Sequence, residues 1–157
     1  MKKTFLTILA LGFIFTLQAQ IDNRLNGQWF LPADIPILQV EYNFNNGHFE
    51  ISGSDGPQSR GTYTTSSGTI TLNTTHYFGG MYNSVLDIWE LPSLEERWYT
   101  AEEIRAIFTE LYFVDMDTLF NTIAVFNYSI GTNTLTLTHL VELDGETFRL
   151  EAILQRR

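Results

Sequence analysis

Two histidines stand where chemistry could be done. His76 shares strand parity with Ile70, Leu72 and Thr74. His139 shares it with Leu135, Leu137, Val141 and Leu143. Alternation therefore points both imidazoles to the apolar side of their strands. A neutral imidazole is a common metal ligand and a ready proton carrier. A zinc or copper site needs a third convergent ligand, and parity supplies no inward carboxylate, so no metal is expected. Two readings remain: polar groups hydrogen-bonded within an apolar interior, or contacts to a ligand. His48, beside Asn46-Gly47, is expected to be exposed. Asp115 and Asp117 flank Met116 without a perturbing partner and read as linker residues. No Gly-x-Ser-x-Gly, His-Glu-x-x-His or phosphate loop occurs. No set of nucleophile, base and orienting group assembles. The chain is expected to be non-catalytic and to need no cofactor.

Aromatic residues surround the histidines. Tyr42, Phe44, Phe49, Tyr63, Phe126, Tyr128 and Phe148 fall on inward parities. Rings with a few polar groups describe a pocket for an apolar ligand; the same rings could instead fill the interior. The ligand candidates are Tyr42, Phe44, Tyr63, His76, Phe126, Tyr128 and His139. A second concentration lies in residues 77–118, with Phe78, Met81, Tyr82, Trp89, Trp98 and Tyr99. So apolar a segment must bury itself. It either plugs a mouth as a lid, with Gly79-Gly80 as a hinge, or offers a patch to a partner.

The elements that carry these residues are mostly strands. Leu38 to Phe44 alternates, Asn46-Gly47 turns, and Phe49 and Ile51 continue. Asn-Gly between alternating runs is a strong hairpin signal because both residues tolerate positive φ. Gly53 to Ser59 reads as a loop. Strands follow over Arg60–Thr65, Thr69–His76, Phe120–Tyr128, Thr134–Leu143 and Glu146–Leu154. Leu25–Leu31 precedes them all. The segment from Tyr63 to Leu72 echoes that from Tyr128 to Leu137 in register. One helix breaks the pattern at about 101–112. Thr100 and Glu103 form a capping box, and Ile104, Ile107, Phe108 and Leu111 make one apolar stripe. Eight strands joined by short turns leave two edges unless they close. The expected fold is all-β: an eight-stranded up-and-down antiparallel barrel with one helix inserted between strands five and six.

The chain has 157 residues and no cysteine, which excludes disulfides and thiolate chemistry. Lys2-Lys3, an apolar run from Phe5 to Leu17 and a small residue at Ala19 match a secretory signal. Residues 1–19 are expected to be cleaved, leaving one domain over 20–157 that is soluble and periplasmic or extracellular. The apolar run is too short to span a bilayer as a helix. Both lysines lie in that segment, so the remainder carries seven arginines against 18 acidic residues, a balance of −11. That argues against nucleic acid and anionic membrane as partners. A basic protein partner stays open, because Glu95-Glu96 and Glu102-Glu103 could steer one.

Gly27-Gln28-Trp29, at the start of an eight-stranded meander, resembles the lipocalin signature. The wider sequence is similar to small exported bacterial lipocalin-like proteins. The similarity runs through Glu41-Tyr42-Asn43-Phe44-Asn45-Asn46-Gly47, Gly61-Thr62-Tyr63 and Trp98-Tyr99-Thr100. The resemblance implies a Trp at the closed end packed against an Arg of the last strand. Parity selects Arg156, which shares a face with Phe148, Leu150, Ala152 and Leu154. Gly27, Trp29 and Arg156 would then be structural. The sequence departs from the main family in lacking a Thr-Asp-Tyr-like motif near 129–133 and a helix after the last strand. Two functions stand: an exported binder of a small, mostly hydrophobic molecule, or an acidic protein-binding barrel.

Overall fold

The structure is a computed structural model, and it describes residues 20–32, 39–88, 93–112, 122–143 and 145–157. Residues 1–19, on which the expectation of a cleaved signal rests, lie outside that set. Nine strands are described: β1 (Gly27–Leu31), β2 (Val40–Asn45), β3 (His48–Gly53), β4 (Gly56–Ser66), β5 (Thr69–Phe78), β6 (Trp98–Thr100), β7 (Ile123–Ile130), β8 (Thr134–Leu143) and β9 (Glu146–Arg156). Two α-helices, α1 (Asn83–Ile88) and α2 (Ala101–Tyr112), lie between β5 and β7. All strand pairs are antiparallel. Eight strands close into a barrel, with β4 paired to β5 and β1 to β9; β6 is an extra short strand on the end of β5. The helix over 101–112 therefore falls between the fifth and sixth barrel strands.

The turns follow from residue chemistry. Asn46 (φ 45°) and Gly47 (φ 86°) form the two-residue turn between β2 and β3. Ser67 (φ 48°) and Gly68 (φ 83°) do the same between β4 and β5. The sequence echo becomes a repeated register, with Tyr63 opposite Leu72 and Tyr128 opposite Leu137. One boundary differs from the sequence reading. Residues 56–59, read as loop, are the start of β4, with Gly53 opposite Gly56 across a tight turn.

The barrel is dense at one end. Leu25, Trp29, Phe44, Phe49, Tyr63, Ile70, Leu72, Leu135, Leu137 and Leu154 form one buried cluster there. Trp29 donates its indole N–H to the Leu25 carbonyl at 2.6 Å. The Arg156 guanidinium lies 4.5 Å from the Trp29 ring centre, and it donates to the Arg24 carbonyl. Trp29 and Arg156 are also direct partners across the β1–β9 seam. The segment before β1 is tied to the same end. Asp22 accepts from the backbone and side chain of Arg24 and from the Tyr128 hydroxyl at 3.0 Å. The Thr65 N–H donates to the Gln20 carbonyl at 2.7 Å.

Removing the ring should be severe. Trp29→Ala is expected to cost about 3–5 kcal/mol and Arg156→Ala about 0.5–2 kcal/mol for the stack alone, read from urea midpoints. A pH effect follows from Asp22. Its side-chain bond with Arg24 outweighs the opposing effect of burial, and the Arg24 N–H and Tyr128 hydroxyl add to it. Together they hold the carboxyl at about 2 against an ordinary 3.8. The fold favours the ionised form, so this contribution is complete above about pH 4 and vanishes as pH falls towards 2. Asp22→Asn should flatten that part of the acid-unfolding profile; a profile identical to wild type would refute the assignment.

Candidate functional site

The opposite, wide end is less complete. β7 pairs with β8 only from Asn127 and Thr138 outwards to Ile130 and Leu135. β9 pairs with β1 only at Phe30 and Trp29. The β8–β9 hairpin is itself paired throughout, from Thr134–Gln155 to Leu143–Glu146. It therefore runs on past its neighbours towards the wide end. Phe148 and Leu150 share the inner-face parity of buried Leu154, yet they are 45% and 58% exposed. An inner sheet face that is apolar and uncovered is what an apolar molecule can bind.

His139 lies where β7 and β8 part. Its Nδ1 is 2.9 Å from the Val125 carbonyl oxygen, which can only accept, so Nδ1 carries the proton. Nε2 is then left as an acceptor for a ligand hydroxyl or acid. Its ring sits 5.5 Å from that of Phe126. Phe126 and Tyr42 are partly buried against the closed-end cluster. Burial pushes the Tyr42 phenol above its ordinary 10.0.

The remaining ligand candidates are committed elsewhere. Phe44 and Tyr63 are buried, edge to face at 5.1 Å, and belong to the closed-end core. Tyr128 points its hydroxyl at Asp22. His76 is the clear correction, because it faces outward. The register slips between Arg60 and Gly61: Gly61 opposes Thr74 but Arg60 opposes His76. The extra residue inverts the parity of β5 from there on, as a bulge does. Gly61 permits the close approach, since a Cβ there would sit 2.0 Å from the Asn73 carbonyl oxygen. His76 now lines a shallow outer groove of about 510 Å³ with Asn43, His48, Glu50, Arg60 and Thr62. His48 is exposed there.

The insertion packs on itself. Leu86, Tyr99, Ile104 and Phe108 form a second buried cluster, with Tyr77, Tyr82, Leu94 and Ile107 against it. Burial raises the Tyr77 and Tyr82 phenols. Tyr77 lies on the inner side of β5, so this cluster sits at the rim of the wide end. Phe78 and Trp98 face outward as direct partners, edge to face at 5.5 Å, with Arg60 4.3 Å over the Trp98 ring. Gly79 is wedged: a Cβ would lie 2.4 Å from the Glu95 carbonyl oxygen and 2.5 Å from Tyr99. That packing argues against a hinge. Met81 is exposed. Trp89, Asp115 and Asp117 lie outside the described residues. The Thr100–Glu103 capping box closes in both directions, at 3.1 Å and 2.7 Å.

Two features escape the sequence reading. α1 is held by Asn83, whose amide bonds Leu94 N–H at 2.7 Å and its carbonyl at 3.2 Å. A larger groove of about 760 Å³ runs along the wide rim, lined by Phe30, Leu31, Val40, Ser52 and Arg157 among others. Arg157 spans it to Glu41 at 2.8 Å. Among the described residues no group of three metal-ligating side chains converges, and no helix is long and apolar enough to cross a membrane.

Thr100→Ala should lower stability by about 1 kcal/mol while leaving the barrel's near-ultraviolet circular dichroism from Trp29 intact. Loss of both together would mean that the insertion and the barrel fold as one unit.

The chain matches no family model, no curated protein and no solved structure; its own geometry carries the functional reading.

Proposed function

We propose that the chain is an exported, non-catalytic, lipocalin-like barrel that holds a small, mostly hydrophobic molecule at its wide mouth. The observation that carries this is the contrast between the two ends. One end is solid with buried side chains, while the inner face of β9 at the other leaves Phe148 and Leu150 uncovered. Phe126 would continue that wall, and His139 Nε2 would anchor one polar atom of the ligand. Gly27, Trp29 and Arg156 keep a structural role. The export reading is supported by the basic start, apolar run and small residue of positions 1–19, and by Gln20 being already bonded to β4.

A second reading, a surface for a basic protein, draws on exposed Ile123, Val125 and Leu140. Acidic residues of the insertion would steer the encounter.

Titration with a fluorescent long-chain fatty acid tests the first reading. Saturable binding at one site per chain is expected. Phe148→Asp should weaken it by about tenfold or more, since an apolar contact worth roughly 1.5–3 kcal/mol is lost. No saturable binding to the wild-type protein, or binding indifferent to Phe148→Asp, would overturn it.

A further inference from the structure

β9 has one partner on its β8 side along its whole length. On its other side, no described strand pairs with it between Glu146 and Leu154. Backbone N–H and C=O groups of an antiparallel strand point to alternate sides at successive residues. Two bonds at the end of β9 show which residues point where. The Arg156 N–H donates towards β8, to the Asn133 carbonyl at 3.0 Å; the Arg157 N–H donates towards β1, to the Gln28 carbonyl at 3.1 Å. The register with β8 has no slip. Even-numbered residues of β9 therefore bond β8. Thr147, Arg149, Glu151 and Ile153 offer their main-chain groups to the open side. A partly apolar edge of this length, without a partner strand among the described residues, is a template for another strand.

We propose that this edge pairs antiparallel with the same edge of a second copy of the chain, about a two-fold axis at Leu150. The charges select that register. The hydrogen-bonded rungs must join odd-numbered residues. Centring the axis on Arg149 or on Glu151 sets like charges face to face, which is destabilising. Centring on Phe148 or Ala152 leaves both charges opposite neutral residues. Centring on Leu150 sets Arg149 opposite Glu151 of the second copy, and Glu151 opposite its Arg149. Both side chains are already at one edge, bonded to each other. Leu150 meets its own copy at a non-hydrogen-bonded rung, where Cα atoms approach to about 4.5 Å. Phe148 lies opposite Ala152 of the second copy. The contact is isologous and closes at two, so it leads to a dimer and not a fibre. It adds strands beside β9, and although Leu150 and Phe148 gain side-chain neighbours from the second copy, the pairing rests on the main chain and on Arg149 and Glu151, not on a bound molecule. The proposal is therefore independent of the apolar ligand.

Sedimentation velocity on the purified protein, with circular dichroism as a folding control, is the test. A concentration-dependent monomer–dimer equilibrium is expected. Arg149→Glu should weaken it by roughly tenfold, because two rungs become repulsive, and so should Glu151→Arg. The double variant R149E/E151R should restore it. The chain has no cysteine, so Leu150→Cys gives a single reporter that should cross-link two copies on mild oxidation. A wild-type chain that stays monomeric at high concentration would overturn the proposal. So would a double variant no better than the single ones, or a dimer that Leu150→Cys fails to cross-link.

Discussion

The seam between the first and last strands rests on Trp29 and Arg156. β1 and β9 share two rungs of main-chain pairing, too few to hold a sheet closed by themselves. The guanidinium over the indole adds attraction, and its bonds to carbonyls before β1 fix where the first strand begins. The buried indole then gives the surrounding side chains something large to pack on. Neighbouring strands inherit their register from that seam through short turns. The order of the closed end is thus set by one aromatic ring held from two directions.

The same arrangement explains the difference between the ends. Side chains fill the narrow half because Phe44, Tyr63 and Tyr128 reach inwards while polar hydroxyls find Asn26 and Asp22. Towards the wide half, β7 leaves β8 and β1 leaves β9 within a few rungs. The β8–β9 hairpin keeps its alternation past that point, so apolar residues that would be core in a fully closed barrel stay uncovered. The uncovered apolar face and the open edge have one origin: among the described strands, pairing stops early on both sides of a long hairpin.

Much of this was legible in residue order. Period-two alternation marks the strands, and Asn46-Gly47 and Ser67-Gly68 mark turns that need positive φ. The parity that singles out Arg156 is the one its register shows. Legibility stops where one residue changes parity. Nothing local in Thr74-Thr75-His76 announces a bulge, although a glycine at 61 opposite it hints at a close approach. Exposure was hidden too. Phe148 and Leu150 read as inner-face residues and are, but whether anything covers them depends on where distant strands part. α1 was missed because six residues show too little period, and its anchor, Asn83 to Leu94, bridges eleven positions.

Arg156 also imposes an order on synthesis. Its guanidinium meets the Arg24 carbonyl across 132 positions. The barrel cannot shut while the ribosome still holds the last strand. Hairpins such as β2–β3 can form early, but the seam waits until residue 156 is free.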